Sequence, residues 1–249
     1  MSDGRPRGLI LGASSQGGLG EAVARRLAAD GVELVVAGRR LEALQALASE
    51  IGGTAAQCDV TDEDSLSALA ETAGAIDVLV NAAGTTMAQS ILKLSRAQID
   101  AQYAVHVTAN LLLMKHVVPA MPRGSSIVLF SSVTAKVAGA GLAAYAAAKA
   151  ALDQVVRIAG IEFGPRGVRV NAVAPGFCRT PMTEGFLSDP HFAAIYARET
   201  ALGGFVTPEQ VAAAVAWLAS PDCYMTGEIM QVSGGAQLMR MPFAGELRK

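Results

Sequence analysis

Residues 8–20 read Gly-Leu-Ile-Leu-Gly-Ala-Ser-Ser-Gln-Gly-Gly-Leu-Gly, and this stretch decides the fold. Residues 8–12 predict a short buried strand, and residues 21–30 predict a helix that ends before Gly31. The glycines between them let the backbone approach a diphosphate, and the helix N-terminus supplies amide groups and the positive end of a dipole. The stretch therefore predicts a strand, a turn and a helix that bind a dinucleotide. The alternative interpretation is a tight turn without a ligand.

The same alternation continues along the chain. Apolar runs predict further strands at 33–37, 54–58, 76–80, 126–130, 168–173 and 229–232, and further helices at 41–51, 65–72, 96–118, 145–163 and 208–219. This rhythm predicts an α/β fold, a single-domain doubly wound parallel sheet of Rossmann type with helices on both faces, covering residues 1–249. Residues 183–205 lie in the longest stretch without a strand and predict a substrate lid.

Composition narrows the class of protein. The chain is 51% hydrophobic and 17% charged, which suits a sheet buried on both faces. The formal net charge is −2 without a block of like charges, which argues against nucleic acid or a membrane surface as the partner. The three cysteines and three histidines are scattered, so neither a disulfide framework nor a metal site is expected. A cytoplasmic location is the expectation that follows.

The end of the second predicted strand bears on the choice of dinucleotide. In NAD-binding sites an acidic residue near this point bonds the ribose 2′-hydroxyl. Here the sequence has Arg39 and Arg40 instead. Because a guanidinium suits a 2′-phosphate, NADP(H) is predicted over NAD(H), and NAD(H) stays possible. The alternative is that both arginines are solvated.

Tyr145 and Lys149 lie four residues apart in an alanine-rich run that predicts a helix. A cation about 4 Å from the phenol, in an effective dielectric of about 20, contributes roughly 4 kcal/mol. That interaction would lower the pKa of the tyrosine from ~10 toward ~7, where a general acid or base works best. The alternative is a half-buried tyrosine beside a solvated lysine.

Taken together, the motifs resemble those of the short-chain dehydrogenase/reductase family over about residues 7–235. In the family's order they are the glycine turn, Asp59-Val60, Asn81-Ala82-Ala83-Gly84, Ser131-Ser132, Tyr145-x-x-x-Lys149, Asn171-Ala172-Val173-Ala174-Pro175-Gly176, Thr180-Pro181-Met182, and Gly227 with Ser233-Gly234-Gly235.

The resemblance implies roles for the catalytic candidates. Tyr145 would transfer the proton, Lys149 would lower its pKa and hold the nicotinamide ribose, and Ser132 would hydrogen-bond the substrate oxygen. Ser131 is the neighbouring alternative, and alternation along a strand points the two serines in opposite directions.

The resemblance also implies a set of cofactor-binding residues. They are Gly12, Ser14, Ser15, Gly18, Leu19 and Gly20 in the glycine turn; Arg39; Asp59 and Val60 beside the adenine; Asn81, Ala82 and Gly84 along the channel; Tyr145 and Lys149; and Pro175, Gly176, Cys178 and Thr180 beside the nicotinamide amide.

Two features depart from the family pattern. Gly12 and Gly18 are separated by five residues, as if Gln16-Gly17 were inserted. His106 stands where the family usually has an asparagine that holds a water next to the lysine. His106 could replace that asparagine in a proton relay, because a neutral imidazole offers one donor and one acceptor, or it could be a packed histidine. Asn110 is a weaker candidate for the relay.

The predicted function is oxidation or reduction between NADP(H) and a small hydrophobic ketone or secondary alcohol. The alternatives are an NAD(H)-dependent alcohol dehydrogenase and a dinucleotide-binding regulatory protein with little catalysis. The resemblance implies a homotetramer or homodimer, with residues 238–249 as a segment that could pack on a neighbour. The predicted pocket and lid residues are Thr134, Val137, Ala140, Leu142, Phe177, Met182, Phe186, Leu187, Phe192 and Tyr196.

Overall fold

The computed structural model describes residues 4–243 and 245–246, and Phe186 by its backbone alone. The remaining positions of the predicted 1–249 domain lie outside the described residues. The seven strands are β1 (Arg7–Leu11), β2 (Glu33–Gly38), β3 (Thr54–Gln57), β4 (Val78–Asn81), β5 (Ser126–Phe130), β6 (Arg169–Pro175) and β7 (Ile229–Val232).

These strands form one sheet in the order β3-β2-β1-β4-β5-β6-β7, and every pair is parallel. The strand order reverses between β1 and β4, which is where open α/β sheets bind ligands beyond their carboxyl ends. The predicted α/β fold with a doubly wound parallel sheet is confirmed.

Nine α-helices are present among the described residues. They are α1 (Leu19–Ala29), α2 (Leu41–Ile51), α3 (Glu63–Ala73), α4 (Arg96–Tyr103), α5 (Ala109–Val117), α6 (Ala143–Phe163), α7 (Glu184–Leu187), α8 (Pro190–Arg198) and α9 (Pro208–Ala219). No helix in this part of the chain has the length and apolar character needed to cross a bilayer.

Helices cover both faces of the sheet, because successive strand residues point to opposite sides. Leu9 and Leu11 of β1 join one core with side chains from α3, α5 and α6, whereas Ile10 joins the other with side chains from α1, α2 and α9. Both cores are dominated by buried aliphatic residues, which explains why the strands read as continuous apolar runs.

The predicted single helix over 96–118 is wrong in one respect. It is interrupted between α4 and α5 by a π-helical turn at Ala104–Thr108, and Val118–Ala120 forms a 3₁₀ turn. The side-chain amide of Asn110 donates to the carbonyl of His106 at 2.9 Å, which satisfies a backbone group within the widened turn. His106 lies in the middle of this turn.

The glycine turn brings the start of α1 against the end of β1. A Cβ on Gly20 would lie 2.3 Å from the Gly12 carbonyl oxygen, a backbone atom that cannot move aside. A Cβ on Gly12, whose φ is +82°, would lie 2.4 Å from the amide nitrogen of Ala83. Only glycines allow β1, β4 and α1 to meet this closely.

We expect Gly20→Ala to destabilise the protein by about 1–3 kcal/mol, because the added methyl overpacks a backbone contact. Gly185→Ala is the matched control: a Cβ there meets nothing within 4 Å, and Gly185 lies in α7. Urea unfolding of both variants measures the effect. A Gly20→Ala variant as stable as Gly185→Ala would contradict the close packing.

Candidate active site

A cavity of about 510 Å³ lies at the carboxyl ends of β4, β5 and β6. The predicted site residues that line it are Leu19, Ala82, Gly84, His106, Ser132, Tyr145, Lys149, Pro175, Gly176, Cys178 and Thr180. The predicted residues outside its lining are Gly12, Ser14, Ser15, Gly18, Gly20, Arg39, Asp59, Val60 and Asn81. This second group follows β1 to β4 along the same edge of the sheet, next to the cavity.

Ser132 follows β5 and faces the cavity with its hydroxyl oxygen already engaged as an acceptor. Its Oγ accepts hydrogen bonds from the backbone amide of Thr134 at 3.2 Å and from Thr134 Oγ1 at 2.9 Å. A serine hydroxyl also carries one hydrogen, which is therefore the part left to donate. Ser132 donates that hydrogen to Tyr145, an interaction that acts to lower the pKa of the phenol.

Lys149 is buried within α6, and its Nζ donates to the carbonyl of Phe130 at 2.6 Å. The ammonium lies 5.7 Å from the centroid of the Tyr145 ring. Burial lowers the pKa of Lys149 to about 7, and the charge of Asp153 opposes that shift. The lysine is thus held at the end of β5, one helical turn from the tyrosine.

The predicted pKa of Tyr145 needs correction. Burial raises the pKa of the phenol above its usual value near 10, and the hydrogen bond with Ser132 offsets only part of that increase. A pKa near 7 would require the ammonium to lie about 4 Å from the phenol in an effective dielectric of about 20. In the structure the Lys149 ammonium is directed to the Phe130 carbonyl, and desolvation is the larger effect.

Ser131 and Ser132 point in different directions, as alternation along a strand predicts. The hydroxyl of Ser131 donates a hydrogen bond to Asp153 Oδ1 of α6. Burial raises the pKa of Asp153, and the Ser131 hydrogen bond opposes the shift. Sequence reasoning missed Asp153, although a carboxylate four residues after Lys149 in an apolar helix was a readable signal.

His106 contacts the catalytic candidates from the π-helical turn. Its ring meets that of Tyr145 edge to face, with centroids 5.4 Å apart. Its Nε2 lies 2.8 Å from the carbonyl oxygen of Thr85, and because a carbonyl only accepts, Nε2 carries the proton and Nδ1 is the acceptor. Burial lowers the pKa of His106 to about 4, with the Lys149 charge acting in the same direction, so the imidazole is neutral at pH 7.

Asn110 has a bracing role in this region. Its amide donates to the His106 carbonyl and its Oδ1 accepts from Asn81 Nδ2, both at 2.9 Å. Asn81 in turn accepts from the backbone amide of Ala83 at 3.0 Å. The Asn81 side chain therefore joins the end of β4 to α5, behind the wall of the cavity.

The glycine turn has the features that a dinucleotide diphosphate requires. α1 begins at Leu19, and its N-cap residue, Gly18, provides no capping side chain. The amide groups of the first turn thus have no side-chain acceptor at the N-cap. The inserted Gly17 donates its amide to Glu21 Oε2 at 2.6 Å, and Arg25 holds the Glu21 carboxylate at 2.7 Å. The insertion is therefore fastened to α1.

The residues proposed for the adenosine end lie after β2 and β3. Arg39 is exposed, and its backbone carbonyl accepts from Gln57 Nε2 at 3.2 Å. Asp59 accepts from the amide and the hydroxyl of Thr61 at 2.9 and 2.7 Å. These bonds, and to a smaller extent the charge of Arg39, lower the pKa of Asp59.

The residues after β6 form the opposite wall of the cavity. A Cβ on Gly176 would lie 2.9 Å from Ser233 Cα, so this glycine permits close packing against the segment after β7. Burial raises the pKa of the Cys178 thiol to about 12. Thr180 donates its amide to Thr183 Oγ1 at 3.0 Å, which holds the start of the segment predicted as a lid.

The structure brings some of the residues predicted for a substrate pocket together around the cavity. Thr134, Leu142, Phe177, Met182, Phe192 and Tyr196 line the cavity, whereas Val137, Ala140 and Leu187 do not, and the Phe186 side chain lies outside the described residues. The sequence missed residues 85–88 and Met241, which also line the cavity. Residues 85–88 were detectable as the continuation of the asparagine motif, but no pattern marked Met241.

Comparison with known proteins decides the family. A family model described as enoyl-(acyl carrier protein) reductase matches residues 12–237. A solved structure titled as a short chain dehydrogenase/reductase family protein superposes with a TM-score of 0.87 at 34% identity, covering 94% of this chain and 98% of that one. The chain belongs to the short-chain dehydrogenase/reductase family. It is therefore related to NAD(P)-dependent oxidoreductases along most of its length.

Two further relatives show what this family member is similar to. The 3-oxoacyl-(acyl-carrier-protein) reductase of Thermotoga maritima is 36% identical over 244 residues, which cover 91% of this chain and 96% of that protein. A structure of an actinorhodin polyketide ketoreductase variant with NADPH is 28% identical, with a TM-score of 0.86 and coverage of 94% of this chain and 97% of that one.

We expect His106 to make this reductase sensitive to acid. The pKa of a histidine is near 6.5 in an unfolded chain and is about 4 for buried His106. Between those values the unfolded state binds more protons, so stability is lost as the pH falls from about 6.5 toward 4, by about 2 kcal/mol at pH 5. Urea unfolding of wild type and His106→Asn at pH 7.5 and 5 measures this effect. Equal losses in both proteins would contradict the burial argument.

Proposed function

We propose that this enzyme transfers a hydride between NADP(H) and a ketone or secondary alcohol, with Tyr145 as the general acid and base. The observation that carries the proposal is that Ser132, Tyr145 and Lys149 line one cavity at the sheet edge where the glycine turn begins α1. When bound, the nicotinamide supplies or accepts the hydride. Side chains of this protein would transfer the proton and stabilise the charge on the substrate oxygen.

Tyr145 donates its phenolic proton to the carbonyl oxygen in reduction and removes the hydroxyl proton in oxidation. With substrate bound, Ser132 would turn its one hydrogen from Tyr145 to the same oxygen, while its lone pairs continue to accept from Thr134. This hydrogen bond stabilises negative charge as it develops on the substrate oxygen. The high pKa of Tyr145 makes this assistance important, since a buried phenol releases its proton reluctantly.

Lys149 has two proposed tasks beside Tyr145. Its ammonium would hold the nicotinamide ribose and favour the phenolate form of the tyrosine. With a pKa of about 7, it exchanges protons near neutral pH and can pass them toward the tyrosine. His106, neutral and in contact with the Tyr145 ring, is proposed to orient that ring and to offer Nδ1 as a proton acceptor.

The proposed cofactor residues fall into two groups along the sheet edge. Gly12, Ser14, Ser15, Gly18, Leu19, Gly20, Arg39, Asp59, Val60 and Asn81 would hold the diphosphate and adenosine, and Ala82, Gly84, Tyr145, Lys149, Pro175, Gly176, Cys178 and Thr180 would hold the nicotinamide end. The uncapped start of α1 supports the diphosphate site. The exposed guanidinium of Arg39 supports NADP(H) over NAD(H).

The substrate is proposed to be a neutral, hydrophobic carbonyl compound or alcohol. Among the described residues, Lys149 is the one side chain carrying a formal charge that lines the cavity. Arg179, which lies near in sequence, donates to the Leu187 carbonyl at 3.1 Å and stacks on Phe205 at 4.9 Å. The name of the Thermotoga relative suggests carrier-bound acyl groups as an alternative substrate class.

The proposal also covers the domain organisation, the oligomeric state and the location of the protein. Residues 1–249 form one dinucleotide-binding and catalytic domain, and residues 183–205, which include α7 and α8, cover the substrate. A homotetramer or homodimer is supported by exposed aliphatic side chains on two helices that cover the same face of the sheet, namely Leu111 of α5 with Ile158 and Ile161 of α6. The cytoplasmic location expected from the sequence stays a prediction.

We expect Tyr145→Phe to lower NADPH-dependent ketone reduction by at least about 10³-fold, because the proton donor is lost while the ring is kept. Binding of NADPH, followed by its fluorescence, should change little. Tyr224→Phe is the matched control, since Tyr224 is fully exposed and should retain wild-type turnover. Turnover retained in Tyr145→Phe would exclude the proposed mechanism, and a wild type inactive on every ketone would favour a regulatory dinucleotide-binding role.

We expect Arg39→Asp to reverse the cofactor preference. The carboxylate would repel a 2′-phosphate and accept a bond from a 2′-hydroxyl, so the ratio of kcat/KM for NADPH to that for NADH should fall by about 10-fold or more. Arg40→Asp introduces the same charge change one residue later, at the N-cap of α2, and should leave most of the preference intact. An unchanged ratio in Arg39→Asp would contradict the assignment.

A further inference from the structure

The C-terminal segment after β7 reaches the substrate end of the cavity. Met241 lines the cavity and is 9% exposed, although neighbouring Met239 is 44% exposed. A Cβ on Gly139 would lie 3.1 Å from Met241 Cε and 2.9 Å from Leu142 Cδ1. The Met241 side chain is therefore packed against the loop between β5 and α6, beside another residue of the cavity wall.

This segment lies beyond the part of the chain that the family model matches. The match ends at residue 237, and Met241 follows it by four residues. The Met241 side of the contact therefore lies outside the residues that the family model matches. The sequence suggested residues 238–249 as a segment that could pack on a neighbour, whereas the Met241 side chain is buried against its own chain.

Four charged residues, Arg198, Glu199, Arg240 and Glu246, fasten the segment to the lid, and we call them the tail clamp. Arg240 binds Glu246 with both guanidinium nitrogens, at 2.8 and 3.0 Å, and binds Glu199 at 3.1 Å. Arg198 binds Glu246 at 3.2 Å. Arg198 is the last residue of α8 and Glu199 is its C-cap, and Phe192 and Tyr196 of the same helix line the cavity.

The tail clamp holds the C-terminal segment in place because Arg240 is paired with a carboxylate that is almost inaccessible to water. The Glu199 side chain is 6% exposed, and a buried charge that loses its partner is strongly destabilised. Phe243 reinforces the arrangement, since its amide donates to Glu246 at 2.7 Å and its ring lies 4.5 Å from the Arg240 guanidinium. The charged residues Arg240 and Glu246 and the buried Met241 therefore belong to the same short, internally bonded segment.

We propose that Met241 is a specificity-determining residue that limits the size of the hydrophobic group a substrate can carry, and that Arg240 is a positioning residue acting through it. This inference rests on the proposed ketone reductase function. A flexible thioether fills an irregular apolar wall well, and its removal enlarges the cavity without adding charge. Compact monocyclic ketones would fit against Met241, whereas fused bicyclic ketones would collide with it.

The test compares kcat/KM for cyclohexanone and 2-decalone, with NADPH, in wild type and variants. Met241→Ala should raise the ratio of 2-decalone to cyclohexanone by about 10-fold or more, the scale on which pockets discriminate by size. Met239→Ala is the matched control and should leave the ratio at the wild-type value. A ratio within about twofold of wild type in Met241→Ala would overturn the proposal.

The positioning role of Arg240 is tested with the same ratio of kcat/KM values, which a general loss of stability would not change. Arg240→Gln should shift the ratio in the same direction as Met241→Ala, Arg240→Lys should restore part of the wild-type ratio, and the double variant Arg240→Gln/Met241→Ala should match Met241→Ala alone. Additive effects in the double variant would overturn the positioning role.

Failure of the proposed function can be told apart from failure of this inference. If wild type reduces no ketone, these two included, the proposed function fails, and the contact of Met241 with the hydrophobic group is tested by binding instead. The rise in unfolding midpoint that 2-decalone produces in the presence of NADPH should then be larger for Met241→Ala than for wild type and Met239→Ala. An equal rise in all three proteins would overturn the proposal about Met241.

Discussion

The buried ammonium of Lys149 is the interaction on which the site depends. Removing an ammonium from water is costly, so its position is set by the acceptor that it finds, the Phe130 carbonyl at the end of β5. The hydrogen bond between Ser131 and Asp153 ties the same strand to the same helix one turn further along. Two bonds therefore fix α6 relative to β5, and this fixes Tyr145 relative to Ser132.

The π-helical turn places His106 close to the Lys149 ammonium. A widened turn brings His106 to the edge of the Tyr145 ring, and Asn110 satisfies the carbonyl within it. The imidazole is kept neutral by burial and by the neighbouring lysine, because a second cation there would be repelled. An uncharged histidine can therefore occupy a place beside Lys149 without displacing it, and its Nδ1 stays an acceptor because Nε2 donates to the Thr85 carbonyl.

The sequence predicted the features that depend on both local residue pattern and close packing, namely the parallel sheet and the glycine turn. Buried parallel strands need apolar runs, and the approach of α1 to β1 needs Gly12 and Gly20, so the sheet and the glycine turn were readable. The π-helical turn was not, because it depends on an asparagine contact with β4. The direction of the pKa shift of Tyr145 also escaped prediction, since desolvation depends on the folded cavity and the lysine head is drawn to a carbonyl.

The location of Met241 follows from the same constraints. Close backbone contacts leave the cofactor edge of the sheet little room to change, as the Gly12 and Gly20 contacts show. Under the proposed function, substrate selection would then depend on segments that line the cavity without belonging to the sheet, namely residues 183–205 and the C-terminal segment. Such a segment has no ladder of backbone hydrogen bonds, so it needs another anchor. A bidentate Arg240 pair with one almost inaccessible carboxylate is an anchor of that kind, because releasing it would take from buried Glu199 its closest cation.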